Sequence, residues 1–238
     1  MNYIHKVAVI GDSVLKGVVF NEVSGRYQAL TESCATMVQK CLNISILNRS
    51  RFGNTIDKGN QLLDIALKKG LDCELALLEF GGNDCDFDWK AVSDHPEEEH
   101  QPRTQLDHFL SVLSEMVQKL KKNGIEPVLM SLPPVDGERY FQHLVQMGFK
   151  AESLLHFLGD PHMISRFHES YSLAVTRFAR EAQCIYVPIR EAFLSSFKYG
   201  KLMCVDGIHP NQEGHYLMKQ VFIDTISTGK SWRALPAT

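Results

Sequence analysis

Short apolar runs alternate with longer stretches of helical periodicity along almost the whole chain. Residues 6–10, 44–47, 73–80, 127–131 and 184–187 are compact and largely apolar, as expected of strands buried on both faces. Residues 27–42 and 55–69 read as helices, and residues 210–226 as a closing helix. The clearest helix runs through Leu106, Phe109, Leu110, Leu113, Met116, Val117 and Leu120, which make one apolar stripe. Thr104 with Asp107 resembles a capping box at its start, and Asn123-Gly124 supplies the stop. Strands alternating with helices predict an α/β fold in three layers, α/β/α, with helices on both faces of a parallel five-stranded sheet. The strand order 2-1-3-4-5 would place the first strand between the second and third.

Two stretches stand outside this alternation. Residues 95–103 (HPEEEHQPR) are polar and acidic, with two prolines, and read as a solvated loop. Residues 135–168 carry Phe141, Leu144, Phe149, Leu154 and Phe157 and read as one or two added helices. They serve either as extra core or as a lid or wall over a site.

At 238 residues the chain fits a single domain spanning 1–238, large enough to bury a core without disulfides or metal. A net charge of −3 and the lack of any long basic run argue against nucleic acid as a partner. The first apolar run is too short for a signal peptide, and no stretch is long enough to span a membrane. The six cysteines (Cys34, Cys41, Cys73, Cys85, Cys184, Cys204) show no CxxC spacing and read as structural thiols. A cytoplasmic location is therefore expected. No heptad or other assembly signature indicates an oligomeric state.

The chemistry lies at the strand ends. Gly11-Asp12-Ser13 follows the first strand, a polar loop with Gly53-Asn54 follows the second, and Gly81-Gly82-Asn83-Asp84 follows the third. In an open parallel sheet, ligands bind beyond the carboxyl ends of the strands where the winding reverses. The predicted order would bring Ser13, Gly53 and Asn83 together there. Near the other end, Asp206 and His209 lie three apart, and Pro210 biases His209 toward an extended backbone just before a helix. An aspartate there can accept from imidazole Nδ1–H and leave Nε2 as a base for a serine hydroxyl. The backbone N–H groups of Ser13 and Gly53 and the Asn83 amide would be donors for a developing oxyanion. Each block alone has an ordinary alternative: a tight turn, a glycine-rich loop, a surface histidine.

Together, Gly11-Asp12-Ser13, Gly53, Gly82-Asn83-Asp84 and Asp206-Gly-Ile-His209-Pro210 resemble the four blocks of the SGNH/GDSL hydrolase family, in the family's order. The resemblance implies a flavodoxin-like α/β/α fold and an esterase, lipase or thioesterase activity without cofactor or metal. It implies Ser13 as nucleophile, His209 as base, Asp206 as its orienter, and Ser13, Gly53 and Asn83 as oxyanion donors. Short-chain or carbohydrate O-acetyl esters are the expected substrates. Alternatives are a longer-chain lipase or thioesterase, an acyltransferase on the same scaffold, and a non-catalytic ligand-binding module.

Asp84, Phe87 and Trp89 follow Asn83 and read either as a substrate-binding lip or as core of the next helix. An Asp84-x-Asp86-x-Asp88 calcium loop is excluded, because Trp89 and His95 stand where glycine and glutamate are required. A phosphate loop at Gly11–Gly17 lacks its Gly-Lys-Ser/Thr. Asp12 is expected to hold its own turn, Glu79 to pair with Arg49 or Arg51, and His215 to sit on the surface of the last helix.

Overall fold

The computed structural model describes residues 4–228. The chain begins with β1 (Lys6–Ile10), α1 (Ser13–Lys16), β2 (Val18–Asn21), β3 (Arg26–Ala29), α2 (Cys34–Leu42) and β4 (Ser45–Asn48). It continues through α3 (Ile56–Lys68), β5 (Leu75–Leu78), α4 (Trp89–Asp94), α5 (Leu106–Lys122) and β6 (Glu126–Met130). Then come α6 (Gly137–Gln146), α7 (Ala151–Leu158), α8 (Met163–Glu181), β7 (Ile185–Val187), α9 (Ile189–Ser195) and α10 (Gln212–Thr228). Among the described residues, no helix is long and apolar enough to cross a membrane.

Five strands form a parallel sheet in the order β4-β1-β5-β6-β7. Counted among themselves, these strands follow the expected order 2-1-3-4-5. β1 is an internal strand, paired to β4 through Val7↔Ile46 and Ala8↔Leu47 and to β5 through Ala8↔Ala76 and Val9↔Leu77. Alternate residues serve opposite faces, as the pleat requires. Ala8, Ile10, Ala76, Leu78 and Leu129 pack with α3, α5 and α8, including Leu63, Phe109, Met116 and Val175. Val9, Leu77, Val128 and Val187 pack with α2, α9 and α10, including Val38, Phe193 and Met218. Phe109 has no exposed surface, and truncating such a side chain to alanine costs about 3–5 kcal/mol. Two buried layers thus clamp the sheet and fix the positions of its carboxyl ends.

A third cluster, centred on Trp89, Val92, Phe141, Leu144 and Leu154, joins α4 to α6 and α7. The added segment at 135–168 therefore forms two helices of its own and the start of a third, which continues to Glu181.

Three local expectations are corrected. Residues 27–42 are not one helix: Arg26–Ala29 pairs antiparallel with Val18–Asn21, and α2 begins at Cys34 under a Ser33 cap. Tyr27, Leu30, Cys34 and Val38 have helical spacing, but Asn21 Oδ1 closes a turn on Val23 and Ser24 N–H and commits the chain to a hairpin. The capping box does not form, because Thr104 is buried and tied inward: its N–H donates to the Asp84 carbonyl at 3.0 Å and its own carbonyl accepts from the Tyr171 hydroxyl. The last helix starts at Gln212 rather than Pro210, with Asn211 Oδ1 accepting from Gly214 N–H at 3.1 Å.

Candidate active site

Ser13 starts the one-turn helix after β1, at the carboxyl edge of the sheet. Asp12 caps that turn, Oδ1 accepting from Val14 N–H at 2.8 Å. The loop after β4 is tied to the same strand end: Arg51 N–H and the Asn54 amide both donate to the Gly11 carbonyl, each at 3.1 Å. Gly53 in this loop takes φ +65°, a left-handed conformation in which side chains are strained, although a Cβ there would meet nothing. Its neighbour Phe52 stacks on the His209 ring, centroids 6.3 Å apart.

The opposite partner arrives on the loop before α10. A bridge between Met203 and Pro210 and the bond from Cys204 N–H to the His209 carbonyl close that loop. Asp206 Oδ1 accepts from Ile208 and His209 N–H, both at 3.2 Å, while Oδ2 lies 2.6 Å from His209 Nδ1. His209 Nε2 is 2.9 Å from Ser13 Oγ. The three side chains form one hydrogen-bonded line across 196 residues of sequence, with all three residues buried. Burial opposes charge on Asp206, but the bonds from the His209 ring and the backbone outweigh it and hold the carboxyl below its ordinary value. An ionised Asp206 keeps the proton on Nδ1, and Nε2 can then accept a proton from the serine hydroxyl.

Asn83 lies beside this line. Its Nδ2 donates to Asp12 Oδ2 at 2.9 Å, which uses one amide hydrogen and leaves the second. A cavity of about 70 Å³ opens here, lined by Ser13, Asn83, Asp86, Leu132, Tyr140 and His168. Gly53 does not line it. A smaller apolar cavity of about 30 Å³ shares Tyr140 and His168 with it and runs on between Phe87, Trp89 and Phe167. A larger cavity of about 220 Å³, lined mostly by aliphatic side chains, lies between the sheet and α2 and α10 and carries none of these groups.

The lip residues are placed differently from one another. Asp84 is fully buried, and its carboxylate holds Ile56 N–H at 2.9 Å and Gly81 N–H at 3.1 Å. It ties the start of α3 to the glycine turn, and burial raises it to about 6. Phe87 and Trp89 are core residues of the third cluster; both line the small apolar cavity and neither lines the main one, while Phe87 also borders a separate cavity beside His100 and Phe157. Asp86, just before Phe87 in sequence, faces the main cavity, held by Trp89 Nε1 at 2.7 Å, the Tyr140 hydroxyl and Arg103.

Other groups escaped sequence reasoning. Glu79 pairs with Asp12, whose N–H it accepts at 3.2 Å, and Arg49 Nε takes no partner among the described residues. His215 is fully buried rather than on the surface; its Nδ1 accepts from Cys34 N–H, and burial lowers it to about 4. Tyr27 packs edge-on to the His209 ring and bonds His143, a contact that depends on the unforeseen hairpin. His168 Nδ1 faces Arg190 at 3.4 Å, and burial lowers it to about 3. Val135, Tyr140, Ile164 and His168 come from the added segment, whose Phe-rich composition was its only signal.

An α/β/α sheet with serine, histidine and aspartate aligned at its carboxyl edge is the framework of a hydrolase acting on ester bonds. The model of the GDSL-like lipase/acylhydrolase family matches residues 9–217, and the chain belongs to that family. Solved structures share the fold at low identity. A lipase/acylhydrolase from Enterococcus faecalis superposes with a TM-score of 0.67 at 15% identity, covering 97% of this chain and 100% of that one. Axe2, an acetylxylan esterase from Geobacillus stearothermophilus, gives 0.63 at 20% identity, covering 93% and 94%. LAE5, an α/β hydrolase enzyme from the metagenome of Lake Arreo, Spain, gives 0.65 at 17% identity, covering 94% and 95%. No curated protein matches the chain.

Proposed function

We propose that the chain is a serine esterase working through Ser13, His209 and Asp206. The observation that carries this reading is the unbroken line from Asp206 through His209 to Ser13 Oγ, at 2.6 and 2.9 Å. Ser13 Oγ attacks the ester carbonyl while His209 Nε2 takes its proton. The tetrahedral intermediate collapses as His209 returns that proton to the leaving alcohol, giving an acyl-enzyme. Water, deprotonated by the same imidazole, then releases the acid and regenerates Ser13. The second hydrogen of the Asn83 amide and the Ser13 N–H receive the developing oxyanion, with Gly53 N–H as a third donor from the flanking loop.

The acyl group is short. A bound water needs about 10–15 Å³ of such space, so a cavity of about 70 Å³ admits on the order of five water-sized groups. An acetyl group fits this, and one of the similar folds is an acetylxylan esterase. A longer acyl chain is the second reading, favoured by the apolar extension past Phe87 and Phe167.

Turnover of p-nitrophenyl esters from acetate to octanoate decides between them, with acetylated xylose beside the series. The short-chain reading expects kcat/KM to fall at least tenfold from acetate to octanoate; octanoate equal to acetate refutes it. Ser13→Ala should abolish turnover and labelling by a fluorophosphonate with Tm unchanged, and retained turnover removes Ser13 as nucleophile. An ester product formed with an added alcohol would make the enzyme a transferase.

A further inference from the structure

Beneath Ser13 two carboxyl groups meet in the protein interior. Asp12 and Glu79 are each 2% exposed, one just past β1 and the other just past β5. Glu79 Oε2 accepts from Asp12 N–H at 3.2 Å, which sets the two carboxyl groups side by side. Both oxygens of Asp12 already accept a hydrogen bond. Oδ1 accepts from Val14 N–H at 2.8 Å and Oδ2 from the Asn83 amide at 2.9 Å. Two acceptors cannot bond each other, so one proton lies between the pair, and the donors already on both Asp12 oxygens assign it to Glu79. Gly11 belongs to the same arrangement: a Cβ there would stand 2.9 Å from Glu79 Oε2 and 3.0 Å from its carbonyl oxygen.

We propose that Glu79 is a positioning residue, kept protonated so that Asp12 stays an acceptor and holds the Asn83 amide toward the oxyanion. Glu79 touches neither substrate nor reacting atoms in this role. It fixes Asp12, Asp12 fixes Asn83 and caps the turn that carries Ser13. Burial raises the Glu79 carboxyl well above its ordinary value, and the Asp12 charge raises it further. The other groups facing the pair are Asp84, which adds to this rise, His209, which favours charge on Asp12, and the buried thiols of Cys34 and Cys85. Loss of the proton would set two carboxylates against each other directly under the nucleophile.

The role rests on the esterase reading, but the protonation state does not, and the experiment separates them. Glu79→Gln keeps the shape, with an amide donor in place of the acid and an oxygen for Asp12 N–H. Glu79→Ala removes both. With p-nitrophenyl acetate near pH 6.5, Glu79→Gln should keep kcat within about threefold of wild type. Glu79→Ala should lose at least tenfold in kcat with KM within about twofold, because a loosened oxyanion donor acts on the transition state alone. Melting supplies the arm that needs no activity. An acid whose folded pKa is raised stabilises the fold below its unfolded value and loses that contribution as pH rises toward the folded value. The Tm of Glu79→Gln minus that of wild type should therefore climb from about pH 4.5 upward, by roughly 3 °C or more per pH unit. A difference that is flat above pH 5 overturns the shared proton, and Glu79→Ala with undiminished kcat overturns the positioning role. If Glu79→Ala does not fold, a Glu79→Gln kcat tenfold below wild type overturns that role instead. Wild type that hydrolyses no ester overturns the esterase reading and the role built on it, while the melting comparison still decides where the proton is.

Discussion

Replacing Asp206 with asparagine separates what holds the loop from what sets the imidazole tautomer. A carboxylate accepts at both oxygens, whereas an amide accepts at one end and donates at the other. Asp206 Oδ1 serves two backbone N–H groups at 3.2 Å, and Oδ2 serves His209 Nδ1 at 2.6 Å. In Asp206→Asn the amide oxygen stays with the backbone pair, because the reverse would press an NH₂ group against two N–H donors. The NH₂ then faces Nδ1, which has to become an acceptor, and the ring proton moves to Nε2. From 2.9 Å that nitrogen can no longer take the Ser13 proton. A misplaced tautomer of this kind lowers kcat by about 10⁴, equivalent to about 5.4 kcal/mol of barrier. The fold is spared, since both backbone bonds survive, and Tm should stay within about 4 °C. Asp206→Ala instead leaves the buried His209 N–H unpaired, at about 1–3 kcal/mol, and frees the half-buried Ile208 N–H as well, and should lower Tm by roughly 5 °C or more. Initial rates on p-nitrophenyl acetate and thermal melts of both variants make the assay. An Asp206→Asn protein with unchanged Tm and kcat within tenfold of wild type would sink the tautomer assignment.

In the proposed oxyanion role, Asn83→Ala should lower kcat by about 10²–10³ with KM nearly constant, because an oxyanion donor acts only as charge develops; steady-state rates that move KM instead would make Asn83 a ground-state binding group. His215 has a folded pKa near 4 against an ordinary 6.5, so its contribution to stability is complete above pH 6.5 and is lost as pH falls toward 4. His215→Asn keeps an acceptor for Cys34 N–H without that titration, so the Tm advantage of wild type over the variant should shrink by roughly 3–5 °C per pH unit on acidification from pH 6.5. A constant difference across that range would mean that His215 is charged in the fold.

How much of this was legible depended on whether one element's own pattern decided the outcome. The stripe from Leu106 to Leu120 matches α5 because each residue on it faces the same layer of the core. The five sheet strands followed from alternation, because a parallel sheet needs a helical crossover between strands; their order, 2-1-3-4-5, is the flavodoxin-like one that the family resemblance implied. Ser13, Asn83, Asp206 and His209 could be selected because each sits where a strand stops or a helix is about to start. The hairpin was lost for the opposite reason. Every residue of β3 is exposed, so no alternation of apolar and polar residues marks it as a strand.

The remaining misses share a cause, which is that a polar residue beside a ligand-binding edge has two possible duties. Asp12, Glu79 and Asp84 all lie at the carboxyl ends of β1 and β5, where substrate would be expected, yet their carboxyls are spent on the protein itself. Glu79 meets a residue 67 positions away and His215 one 181 positions away, and neither separation leaves a trace in local spacing. Glycine turns explain the demand. They have no side chains with which to hold themselves, so the N–H of Gly81 and the carbonyl of Gly11 are secured by Asp84 and Asn54. A site built on flexible turns therefore needs a second layer of buried acceptors and donors to hold its donors in place. The first layer can be found from residue type and position in the chain, and the second only once the strands have been placed side by side.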